Sequence, residues 1–356
     1  MKNPTKFIAL LSGAALLASS GFAASVATNP VGYVSTTAAD GSDSFIGTVL
    51  SEQIALASAA SGVTGAEVST SSTLVEDAYN NTHYVLFSTG TKAGQWYEVV
   101  DTTTSSVVLD TDVAALGVAT GDEFKVVTFW TLGALFPSTS GFAASPDPFG
   151  PVAEVLLNNL EGTGINLSSA GSYFYHDGSS PILAFTAGWY QTGTLAASGA
   201  VRLSPETYFT VRNLSGADFD VVVSGSVPVD VVGTGVLSAV SAQDNQLVNP
   251  YPSGLALDGS GLTDVVTASA DPFAPGDQVL LFASTGTTTN RSSLASYFYH
   301  DGSSPILSFT AGWYQVGTLT PSGAVEIPAG GAFWVRKAAD ATPSLAEWEP
   351  AVPYTL

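Results

Sequence analysis

The chain has no cysteine, and its one methionine is the initiator. No disulfide can brace it, so stability must come from apolar burial; 356 residues are enough for roughly two or three cores. A mature chain without Cys or Met has no easily oxidised sulfur, which suits an exposed, extracellular setting. Basic residues are scarce, nine Lys and Arg against thirty Asp and Glu, a net charge of −21. Such a surface repels phosphate backbones and anionic lipid headgroups, which argues against nucleic-acid and membrane-surface roles. The histidines, His83, His176 and His300, are too few and too scattered for a zinc site within one module. The G-x-S-x-G elbow, the P-loop and H-E-x-x-H are all missing. Gly162-Thr163-Gly164 and Gly233-Thr234-Gly235 lack the third glycine that a dinucleotide site needs. No long apolar run follows the first two dozen residues, so no membrane span is expected in the mature chain.

What is present starts with an export leader. Lys2 and Lys6 precede the apolar stretch Phe7 to Ala18, which is too short to span a bilayer, and Gly21-Phe22-Ala23 supplies small residues for cleavage. Residues 1–23 are read as a signal peptide, and the protein as exported to the outer surface, the extracellular space or the periplasm. Loss of Lys2 and Lys6 leaves seven basic against thirty acidic residues, a net charge of −23.

The centre of the sequence is a stretch that occurs twice. Ser172 to Val201 and Ser296 to Val325 differ at four of thirty positions (Ala184/Ser308, Thr192/Val316, Ala196/Thr320, Ala197/Pro321). Beyond it, Arg202 to Asn213 and Glu326 to Lys337 agree at three of twelve. Packing tolerates exchanges among similar apolar volumes, so core packing alone does not account for an unchanged DGSSPIL loop. Recent copying and a shared surface task both remain open. The aromatic run Tyr173 to His176 fits a strand that turns at Asp177-Gly178 and returns as Gly188 to Thr194. Pro181 is still in the loop, and Ala200 to Leu203 reads as a third strand.

Outside the leader, short runs of Val, Thr, Tyr and Phe alternate with Gly, Ser, Asp and Pro punctuation, without extended helical periodicity. That predicts an all-β protein of two or three β-sandwich or barrel-like modules in tandem, the last two an internal repeat. The expected boundaries are 24–128 for an N-terminal module, 129–246 for the first repeat and 247–356 for the second. In the N-terminal module, strands are read at Phe45 to Leu50, His83 to Phe87, Gln95 to Val100, Ser106 to Leu109 and Glu123 to Thr128, with a helical turn at Val113 to Leu116. A faint echo of the doubled hairpin runs through Tyr84, Phe87 and Trp96 to Val99. Between the repeats, Asp147-Pro148-Phe149 answers Asp271-Pro272-Phe273 at a constant offset of 124. Phe136-Pro137-Ser138 is matched with Tyr251-Pro252-Ser253, which implies nine extra residues near Gly254 to Thr263. The polar run Ser241 to Asn249 is read as the boundary.

These features together resemble a known family. The opening NPVGYV, the HYVLFSTGTKAGQWYEVV segment, Phe129 to Pro137, the GINLSSAGSYFYH stretch and the paired VRN and VRK strand ends carry the likeness over most of the mature chain. The family is one of uncharacterised, signal-peptide-bearing, secreted β-rich proteins of environmental bacteria. In it an aromatic run, a turn and a Trp strand follow closely; here SSPILAFTA or SSPILSFTA separates them. The resemblance implies secretion and β modules and assigns no activity.

Two classes of site residue are expected. His176-Asp177 and His300-Asp301 are the only acid/base-looking pairs, and neighbours on a strand point to opposite faces, so hairpin closure is their first reading. The aromatics Tyr173, Tyr175, Trp189 and Tyr190, with Tyr297, Tyr299, Trp313 and Tyr314, are candidate twin platforms for the apolar faces of sugars. His176, Asp177, His300 and Asp301 would bond the hydroxyls. No cofactor is expected. Asp40-Gly41-Ser42-Asp43 and Asp110-Thr111-Asp112 could offer oxygens to a structural calcium, but neither continues as an EF-hand loop. The leading expectation is an exported, non-enzymatic surface or matrix-type protein whose partners are polysaccharide or other surface proteins. A glycan-binding protein is the second reading and a secreted polysaccharide-active enzyme the third.

Overall fold

The computed structural model describes residues 30–354, apart from 139, 180–184, 206, 285 and 304–308. The expected leader and the Pro181 loop lie outside the described residues. The chain is almost entirely β, as its punctuation predicts.

Two short strands open it, β1 (Val31–Ala38) and β2 (Ser42–Gly47), joined by a turn in which Gly41 takes φ 69°. Next come β3 (Ile54–Thr64), β4 (Glu67–Thr70), β5 (His83–Phe87), β6 (Trp96–Thr102), β7 (Ser106–Leu109) and β8 (Glu123–Thr128). These six close a barrel in the order β3-β4-β7-β6-β5-β8. Alternation explains its walls: Phe124 and Val126 of β8 point inward and are buried, while Glu123 and Lys125 point outward. The barrel has its own core, built around Val68, Val85, Phe87, Val99, Val107 and Phe124.

After the barrel come a helical turn, α1 (Leu132–Leu135), and strands β9 (Ala153–Leu157), β10 (Gly171–His176), β11 (Gly188–Gln191), β12 (Tyr208–Asn213) and β13 (Phe219–Ser226). Thr131 caps α1 by accepting the Ala134 backbone N–H at 3.2 Å. The remaining strands are β14 (Thr234–Leu237), β15 (Gln243–Val248), β16 (Leu255–Ala256), β17 (Gln278–Leu281), β18 (Ala295–His300), β19 (Gly312–Gln315), β20 (Glu326–Ile327), β21 (Ala332–Lys337) and β22 (Leu345–Trp348).

The pairing differs from a simple tandem order. One five-stranded sheet runs β11-β10-β9-β12-β2 and the other β19-β18-β17-β21-β15. A two-stranded sheet accompanies each, β1-β13 and β14-β22. The first repeat is therefore discontinuous. It begins with β1 and β2, is interrupted by the barrel, and resumes at α1. The second repeat begins at β14, not at residue 247. The polar run expected to be a boundary contains β15, whose six residues are all buried. The offset-124 pairing of the ribbons holds, but the match of Phe136 with Tyr251 does not. Leu132 N bonds Val201 O at 3.0 Å and Leu257 N bonds Val325 O at 2.9 Å, so Leu132 answers Leu257. The nine extra residues disappear with that alignment. The barrel is not a third copy either, because β5 pairs directly with β8 whereas β17 separates β18 from β21. Val113 to Leu116 forms turns instead of a helix. Ala200 to Leu203 contributes one bridge, Thr131 to Arg202.

The two repeats lock together reciprocally. The Arg212 guanidinium grips Asp43 with Nε and Nη2 at 2.8 and 2.9 Å, and Nη2 also donates to Asn290 of the other repeat at 2.8 Å. Arg336 grips Asp244 at 2.7 and 2.9 Å and donates to Asn166 of the first repeat at 3.1 Å. Each asparagine also gives its backbone N–H to the opposite aspartate at 2.7 Å. Between these locks, Phe45, Tyr208, Phe282 and Trp334 pack ring on ring, and the Trp334 indole N–H donates to the Tyr208 hydroxyl at 2.6 Å.

Candidate functional site

The twin ribbons fold as the sequence predicts at their cores. In the first, Tyr173, Phe174, Tyr175 and His176 face Gln191, Tyr190, Trp189 and Gly188; the second repeats this register. Gly178 takes φ 83° at the turn, and Gly302 takes 85°.

Alternation sends the aromatics to two faces, and both tryptophans are buried. Trp189 is 4% exposed and Trp313 2% exposed. Trp189 lies among Phe136, Phe142 and Tyr175, with ring centroids 5.0 to 5.8 Å apart, and its N–H donates to the Phe136 carbonyl at 3.2 Å. Trp313 packs edge-on against Tyr299 at 5.5 Å. Tyr173, Tyr175 and Tyr299 are half-buried; Tyr190, Tyr297 and Tyr314 are buried or nearly so. The flat tryptophan platforms have no free face, because these large rings fill the space between the sheets and their loops.

The opposite face holds Phe174, His176, Phe185 and Tyr190, and in the second ribbon Phe298, His300, Phe309 and Tyr314. Both histidines are fully buried. His176 Nδ1 accepts the Gly178 backbone N–H at 2.8 Å, and His300 Nδ1 accepts that of Gly302 at 2.8 Å. Asp177 and Asp301 are exposed and accept the N–H and hydroxyl of Ser179 and Ser303. Those donors, the serine hydroxyl first, hold both carboxyls below the usual aspartate range. Each pair thus closes its own turn, and neither forms a dyad directed at a common point.

The oxygens considered for calcium are also engaged. Asp43 is gripped by Arg212, Asp40 accepts the Gly216 N–H at 2.9 Å, and Asp112 accepts that of Ala115 at 3.0 Å. Burial raises the Asp110 carboxyl above the usual range. Among the described residues no three His, Asp or Glu side chains converge as a metal site, and no helix is long and apolar enough to cross a membrane.

The sequence reading missed the junction of barrel and repeats. An apolar hollow there is lined by Leu50, Tyr84, Trp96, Trp130 and Val229, with the Lys125–Asp230 ion pair at its side. Trp96 is held edge-on by Tyr84 at 5.8 Å and Phe129 at 5.7 Å. Ion pairs from Arg202 to Glu98 and from Lys92 to Glu347 tie the barrel to both repeats. Trp96 was legible only as a strand residue, because its neighbours come from distant parts of the chain.

No protein-family model, no curated protein and no solved structure matches this chain.

Proposed function

We propose that the protein is an exported, non-enzymatic surface or extracellular-matrix-type protein, related to the signal-bearing bacterial family that its sequence resembles. The observation that carries the non-enzymatic reading is that both histidines of its acid/base pairs are fully buried while both aspartates point to solvent. His176 with Asp177, and His300 with Asp301, are bonded within their own turns. A general acid or base needs a proton site within reach of a bound molecule, and the unpaired Nε2 of each histidine is enclosed by the protein. The reciprocal Asp–Arg–Asn locks favour a stiff, durable body, and the acidic, disulfide-free composition suits soluble display outside the cell.

The test is direct. Mature protein incubated with a panel of neutral and acidic polysaccharides should release no new reducing ends and no unsaturated products. Cleavage of any of them, lost on His176→Ala with His300→Ala, would replace this reading with a secreted hydrolase or lyase.

A further inference from the structure

A second hollow, of about 300 Å³, opens beside Trp96 where all three units meet. The barrel contributes Trp96, the first repeat Leu160, Ser204 and Thr207, and the second repeat Gln246 and Leu345. Its volume lies at the lower end of small-ligand sites, roughly 300–1,000 Å³. A neighbouring hollow of about 260 Å³ shares Trp96 and Leu345 and extends the space past Gln95, Tyr97 and Glu347.

One polar atom in this groove has no explanation within the fold. Gln246 is 8% exposed, and its side-chain Oε1 is buried without a hydrogen-bond partner. Leaving such an acceptor unpaired is destabilising, and a non-functional position would relieve it with an apolar side chain. The polar neighbours on β15 are accounted for: Gln243 bonds Gly162 and Gly164, Asn245 bonds Leu237 and Val335, and Asp244 is held by Arg336. At the far end Glu347 is paired with Lys92 and Gln95. The groove therefore offers an aromatic face fixed by two other rings, apolar Leu160 and Leu345, and hydroxyls, with the unpaired Gln246 oxygen buried in its wall and its charges neutralised by protein partners.

We infer that this groove binds a neutral oligosaccharide, with a sugar ring against Trp96 and the Gln246 side chain turning from the wall so that its Oε1 accepts a sugar hydroxyl. A sugar presents an apolar C–H face and hydroxyl donors on the same small body, which is the pairing the lining offers. Two adjoining hollows around one tryptophan fit a chain of sugars better than one. An acidic glycan is disfavoured by the net charge of −21. The site is separate from the twin ribbons and does not depend on where the protein resides.

The experiment titrates mature protein with neutral hexasaccharides of glucose, xylose and mannose and with hexagalacturonate, by calorimetry and tryptophan fluorescence. At least one neutral hexasaccharide should bind with Kd on the order of 1 mM or tighter. Trp96→Ala should abolish binding. Gln246→Leu should weaken it about tenfold while leaving the protein as stable or more so, because it removes an unpaired buried acceptor. That opposition of stability and binding separates a ligand contact from a structural role, and Gln246→Leu keeps the test open if Trp96→Ala misfolds. No saturable binding by any neutral hexasaccharide, binding of hexagalacturonate alone, or unchanged affinity in Gln246→Leu would each overturn the inference. None of these outcomes bears on the cleavage assay above.

Discussion

Tyr208 shows how much one hydroxyl can matter at a buried junction. It is 2% exposed, lies edge-on to Phe45 and accepts the Trp334 indole N–H across the repeat interface. Burial is the main reason its phenol is pushed well above the ordinary value of 10.0. Tyr251 and Tyr354 are each raised to about 12, again chiefly by burial. A phenol whose folded pKa exceeds its unfolded one is held neutral by the fold. Its contribution is complete below pH 10 and is lost as pH climbs through the folded value. Urea unfolding of the wild-type protein should therefore show stability falling above about pH 10. Tyr208→Phe should lose about 1 kcal/mol at pH 7, with its hydrogen bond, and show a flatter alkaline decline. An unchanged alkaline slope in that variant would place the titration elsewhere.

Elements were legible where residue type and position agreed. His83–Phe87, Ser106–Leu109 and Glu123–Thr128 are strands with the bounds read from sequence, since they are rich in β-branched and aromatic residues that the sheet buries. β3 was not read, because Ile54–Thr64 is mostly Ala, Ser and Gly and carries little strand preference. The run that contains β15 reads as a boundary because its polar side chains look solvated, yet Gln243 and Asp244 find partners across the repeat interface and Asn245 finds them within its own repeat. The twin platforms were misplaced for a related reason: a ring's exposure depends on loops and sheets remote in sequence. The barrel is the element most cleanly separable, with a core made of residues from Ala60 to Val126 alone. Its ties to the repeats include the ion pairs Lys125–Asp230 and Arg202–Glu98 and the Gly233 to Gly94 backbone bond at 2.8 Å. A fragment spanning residues 52–129 should fold alone. Trp96 is its one tryptophan, so its fluorescence should report a single cooperative urea transition. A gradual, non-cooperative change would mean that the barrel depends on the repeats for its structure.

At the scale of the molecule, the two repeats meet as two halves of a dimer would. Each carries both parts of the lock, an Asp–Arg pair and an asparagine held at positive φ, Asn166 at 55° and Asn290 at 50°. Such a surface is self-complementary, as in a two-fold interface. The second repeat also owns a closed core, from Val236 to Trp348, so it has what it needs to fold by itself. Excision would uncover β15, Phe282 and Trp334, which now pack on the first repeat. An excised chain of residues 232–354 should therefore associate, with Asn290 of one copy on Asp244 and Arg336 of the other. The fit would be poorer than in the intact protein, since Gln246 and Ala332 would stand where β2 and β12 present Phe45 and Tyr208. Sedimentation equilibrium should give a reversible dimer with Kd on the order of 100 µM or tighter. Arg336→Met, which leaves Asp244 unpaired and removes the donor to asparagine, should yield monomer at the same concentration. A wild-type fragment that stays monomeric, or a dimer indifferent to Arg336, would show that the lock holds only because one chain joins the repeats.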